Sequence, residues 1–188
     1  MSADTAGQLV LVLLAFASAS TAGSWTTVGR RIWTPVTVAL LAAAAVAAAV
    51  PEQVRVDGRG LTALLVALAG VLAVVGGGPV TSRVFALVDR QDHPSDPSTA
   101  DRSIDGAGKV LRGGAWIGAL ERAAVFATVV AGWPEGLAIV LALKGLGRYP
   151  ELRSGQNTGA AERFIIGTFT SVLWAVACAG VVRLVAGG

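Results

Sequence analysis

The sequence predicts an all-α, polytopic integral membrane protein of about six transmembrane helices. Three observations carry this: too little charge for a water-facing surface, six apolar stretches of spanning length, and a lopsided distribution of basic residues. Apolar residues make up 54% of the 188, charged residues only 14%, and the mean hydropathy is +0.66. A soluble domain usually carries about 25% charged residues to solvate its surface. The shortfall implies a surface that faces lipid. A net charge of +3 is too small to argue for nucleic acid, and one membrane domain is the natural reading of 1–188.

The apolar stretches are residues 7–22, 32–50, 61–75, 115–132, 134–149 and 164–185. At about 1.5 Å per residue each approaches the ~30 Å of a hydrocarbon core. The first stretch is followed by small residues, as a cleaved signal peptide would be. However, Asp4 precedes it and Arg30 and Arg31 follow it, so a retained helix is expected. Pro134 suits the first turn of the fifth stretch.

Six crossings place Arg30, Arg31, Arg83, Arg90, Arg102, Lys109, Arg112, Arg122, Lys144, Arg148, Arg153 and Arg163 on one side, and Arg55, Arg59 and Arg183 on the other. Twelve against three assigns the first side to the cytoplasm, with both termini outside the inner membrane of a bacterial cell. Trp25, Trp33, Trp116, Trp133 and Tyr149 fall at helix ends, as an aromatic belt requires, whereas Trp174 falls mid-helix and should pack inside.

Residues 76–114 separate two groups of three helices. Gly76, Gly77 and Gly78 read as the end of the third helix, since no Lys-Ser or Lys-Thr follows to make a phosphate cradle. From Pro79, apolar residues at Val80, Val84, Leu87 and Val88 suggest a separate interfacial amphipathic helix. Residues 89–109, with Pro94, Pro97 and five aspartates, read as a flexible loop. Asp89, Asp92, His93 and Asp96 fit no cation-loop spacing, and one His and one Cys allow no familiar catalytic arrangement. Cys178 reads as a small packed residue. No catalytic residue, metal or cofactor is implied.

The candidate site lies in the second half. Glu121-Arg122, then Lys144 and Arg148, then Glu162-Arg163 occupy ends of helices four, five and six that topology brings to one cytoplasmic mouth. Neighbours in a helix point about 100° apart, so Glu121 and Arg122 face different surfaces, while Lys144 and Arg148 share one. A carboxylate inside the apolar layer needs a base, whereas arginine and lysine can snorkel. Glu121 is thus expected to pair with Lys144 or Arg148, and Glu162 is a second acid for the same face. The cluster reads either as structural ion pairs or as a basic pocket for an anionic lipid headgroup, a nucleotide or a partner's acidic segment. Gly167, Thr168, Ser171, Ala175 and Cys178 form a small-residue stripe on helix six, and Gly114 and Gly118 a G-x-x-x-G on helix four. Both suit close helix packing, and a hydroxyl-lined solute path is the alternative.

The runs W-I-G-A-L-E-R (116–122), A-L-K-G-L-G-R (142–148) and E-R-F-I-I-G-T-F-T-S (162–171) resemble the C-terminal part of an uncharacterised bacterial membrane-protein family, a domain of unknown function. The resemblance covers about residues 113–183 and aligns Glu121, Arg122, Lys144, Arg148, Glu162, Gly167, Thr168 and Ser171. Arg163 departs from it, standing where that family has tyrosine. The resemblance implies that the charged cluster is a site but supplies no activity. The functional expectation is a non-enzymatic membrane protein that binds a partner or an anionic ligand at its cytoplasmic face. A small transporter or channel subunit is the alternative, and membrane lipids, a protein partner or a second copy are the expected partners.

Overall fold

The computed structural model describes residues 3–50, 56, 58–92, 114–153 and 160–186. All regular structure among them is helical: α1 (Ala3–Ser24), α2 (Thr27–Ala49), α3 (Arg59–Asp92), α4 (Gly114–Val130), α5 (Pro134–Arg153) and α6 (Ala160–Ala186). Four of these, α1, α2, α3 and α6, are long and apolar enough to cross a membrane. Their exposed surface is rich in large apolar side chains such as Phe16, Ile32, Val71, Phe169 and Leu173, compatible with embedding in lipid.

The first two helices form an antiparallel hairpin whose seam repeats every three or four residues. Ala6, Val10, Leu14 and Ala17 of α1 and Leu41, Ala44 and Ala48 of α2 are buried, and the small side chains let the backbones approach closely. Toward the turn the seam becomes polar: the Ser20 and Thr37 hydroxyls share a hydrogen bond at 2.6 Å. Thr26 caps α2 by accepting from the Gly29 N–H at 3.0 Å.

The third helix departs most from expectation. The glycines at 76–78 do not end it, and no separate interfacial helix begins at Pro79. Instead α3 is one 34-residue helix reaching Asp92. Residues 89–92 of the expected loop are therefore helical, and the rest of it, with His93 and Asp96, lies outside the described residues.

Nor do the helices divide into two groups of three. The sixth helix packs along α3 and also touches α2, so it closes the α1–α2–α3 core. The fourth leans on α3 and α6, and α5 packs chiefly on α4. Helices α3 and α6 run antiparallel in register: Arg163 pairs with Asp89, Phe85 lies over Gly167, and the Trp174 indole N–H donates to the Leu72 carbonyl at 3.1 Å.

A glycine-terminated turn joins α4 to α5. Gly132 takes a positive φ of 68°, its N–H bonds the Val129 carbonyl, and the Trp133 N–H reaches back to Thr128. Pro134 then opens α5, where its missing N–H costs nothing.

Candidate functional site

The six charged residues do not form one pocket. The helix face each occupies sends Glu121 and Lys144 to one another, and Arg122 and Arg163 to α3. Glu121 of α4 pairs with Lys144 of α5, and both side chains are less than one-fifth exposed. Glu162 is exposed in the first turn of α6, and the α6 residue that pairs is its neighbour Arg163, with Asp89 of α3. In the sequence Asp89 gives no signal as a partner, because it opens the polar run 89–109. Arg148 is half-buried one turn beyond Lys144 on α5. These ion pairs join α4 to α5 and α3 to α6, while α4 itself packs along α6.

Arg122 departs furthest from the sequence expectation. It does not snorkel: the residue is only 7% exposed, turned into the bundle against α3. Its Nε and Nη2 both donate to the Val74 carbonyl, at 3.0 and 2.8 Å. The guanidinium fork suits two bonds to one acceptor, and a carbonyl keeps a second lone pair for its helix. Hydrogen bonds from a charged donor contribute about 1.5–3 kcal/mol, comparable to the ~2.5–3.5 kcal/mol that an arginine costs in a membrane helix.

The glycines make this possible. A Cβ on Gly77 would stand 2.3 Å from the Arg122 Cδ and 3.0 Å from the Trp174 Cδ1, and one on Gly76 would stand 2.9 Å from the Trp174 Cζ2. Residues 76 and 77 are therefore the floor on which a guanidinium and an indole lie. Gly118 serves the same group from within α4, since its Cβ would stand 3.2 Å from the Arg122 Nη1. The second glycine of the G-x-x-x-G thus makes room for an arginine on its own helix.

The same floor is locally expensive. Glycine is about 1 kcal/mol and proline about 3 kcal/mol worse than alanine inside a helix. Pro79 also lacks the N–H that would bond the Val75 carbonyl. Extra donors flank that gap: Trp174 at Leu72 and Arg122 at Val74, while the Thr81 hydroxyl donates to the Gly77 carbonyl at 2.8 Å.

Along α6, Gly167 receives the Phe85 ring, Cys178 and Ala175 are fully buried, and Ser171 is buried. The stripe thus packs as small residues do. The Thr168 Oγ1 is buried without a hydrogen-bond partner, as are the Thr34 Oγ1 and the Arg30 Nε on α2.

Compared with protein-family models, curated proteins and solved structures, the chain has no match.

Proposed function

We propose that this chain is a non-enzymatic, multi-pass protein of the bacterial inner membrane that binds a partner or an anionic ligand, such as a lipid headgroup, at its cytoplasmic face. The observation that carries the reading is a collar of basic residues at one end of the bundle. Trp25, at the α1–α2 turn, lies beside Gly78, which fixes the level of that turn on α3. Arg30 and Arg31 open α2 at this level and Arg83 follows five residues after Gly78. Arg148 lies one turn beyond the Lys144–Glu121 pair toward the same end. Such a collar beside half-exposed Trp25 and Trp33 suits the headgroup layer of an anionic leaflet. The resemblance over residues 113–183 points to the same end of the molecule.

Six crossings, with both termini outside, fit this orientation. Gly132, in the α4–α5 turn, sits against the Arg183 guanidinium near the far end of α6, so α4, on which α5 packs, runs beside a helix of spanning length. Purification in mild detergent followed by mass spectrometry should find an anionic lipid or one stable partner retained by the native chain and lost when Arg30, Arg31 and Arg83 are changed to Gln. Retention unaltered by those changes would refute the collar. A cytoplasmic reporter fused after Asp96 should be active and one at either terminus silent, and a cytoplasmic C-terminus would refute six crossings.

A second reading, a small transporter or channel subunit, draws support from the glycine-proline stretch beside buried Arg122, because transporters place interrupted helix and inward charge around a solute path. A cysteine replacing buried Ser171 in a Cys178→Ala background decides between them. Rapid labelling by a membrane-impermeant thiol reagent would favour the path, and protection favours the binding protein.

A further inference from the structure

We propose that residues 76–79 are a hinge in α3, latched by Arg122 and Trp174, about which the arm formed by residues 79–92 swings relative to the bundle. Three independent features converge there. The first is covalent: three glycines and a proline in succession leave the helix weakest at this point, and Pro79 removes one rung of its ladder. The second is the change in burial across the stretch. Before it, Leu65, Ala69, Leu72 and Ala73 are buried in the core; after it, none of residues 80–89 is buried. Few buried contacts mark the parts of a protein that open most readily. The third is where the bracing comes from: the two long side chains that lie on the glycine floor belong to α4 and α6, not to α3.

Beyond the hinge, the arm is held to α6 by the Phe85 ring on Gly167 and by the Asp89–Arg163 pair, in which the Arg163 side chain is 54% exposed. The Asp89 side chain is only 13% exposed, so the pair is open to water and salt from the Arg163 side. The latch sits where the arm leaves the buried core, so its release governs the motion. The arm carries Arg83 and leads directly into residues 93–113, so a group docking at this end would load the arm. The hinge itself rests only on the geometry of α3, α4 and α6, and its test needs no ligand.

The test is a distance measurement between spin labels on the full-length chain in lipid nanodiscs, in a Cys178→Ala background. One pair, Leu87→Cys with Ile165→Cys, spans the arm and α6. The other, Leu64→Cys with Leu184→Cys, spans the opposite end, and all four positions are exposed. A swing of about 20°, the size of a sharp helix kink, displaces residue 87 by about 4 Å. Arg122→Gln should broaden the first distribution or add a component shifted by about that much, leaving the second unchanged. Pro79→Ala, which restores the missing N–H, should narrow the first below that of the native chain. An arm distribution unaltered by both changes overturns the hinge, as does equal broadening of both pairs with Arg122→Gln, which would make Arg122 a general packing residue. If the Arg122 variant does not accumulate, Pro79→Ala decides alone: narrowing supports the hinge and no change overturns it.

Discussion

The α1–α2 hairpin and the contact of α3 with α4 and α6 solve the same problem, close approach of helices in lipid, by opposite means. Along most of the hairpin seam the partners are small or aliphatic: Ala6, Val10, Leu14 and Ala17 face Leu41, Ala44 and Ala48, one hydroxyl pair, Ser20 with Thr37, adds direction, and near the turn Gly23 lies under Trp33. Around α3 one partner is bare and the other large. Gly70 lies under Phe126, Gly76 under Trp174 and Gly77 under Arg122. The first arrangement spreads its stabilisation over many equivalent positions. The second concentrates it in a few side chains, so a single added methyl should do more harm there.

Paired glycine substitutions test that difference most severely. Gly77→Ala drives a Cβ into the Arg122 side chain, and overpacking of this kind costs about 1–3 kcal/mol. Gly145→Ala and Gly180→Ala meet open space and should stabilise by up to about 1 kcal/mol through helix propensity. Reversible unfolding in mixed micelles measures all three, and similar effects would deprive the glycine floor of any special role. Next in size is the Glu121–Lys144 pair. Glu121→Gln should cost about 1–3 kcal/mol, and Lys144→Met in that background little more. Strict additivity in the cycle would mean that the two charges merely flank their helices. The smallest effect belongs to the hairpin: Thr37→Val removes its bond to Ser20 and should cost about 0.5–1 kcal/mol. A loss of several kcal/mol would show that the hairpin, too, depends on one contact.

Periodicity made the helical class and the approximate place of each helix legible, and antiparallel order made the Glu121–Lys144 pair legible. What it hid follows from the two packing styles. A glycine run is the local signature of a helix end, and the cover that Arg122 and Trp174 give to Gly76 and Gly77 in the continuous helix is tertiary. Asp89 was lost as a partner for Arg163 by the same step, because ending α3 early put it in a loop. Arg122 was misplaced because snorkelling is an arginine's default beside a membrane surface. That default yields only when a carbonyl such as Val74's lies within reach of a bare helix face. Grouping by sequence order likewise failed, since nothing in the apolar pattern of α6 says that it returns to α3.

The bond from Trp174 to the Leu72 carbonyl closes a loop of 102 residues, and that from Arg122 to Val74 one of 48. A ribosome adding about 5–20 residues per second finishes the second helix of such a pair long after the first has entered the bilayer. For about 2–10 seconds, then, α3 waits for the Arg122 side chain, and for about 5–20 seconds it waits for the Trp174 indole that completes the cover of its glycine face. The nascent chain must shelter that face with lipid, with the α1–α2 hairpin or with the insertion machinery until α6 emerges. A chain arrested after α5 would display the unfinished state.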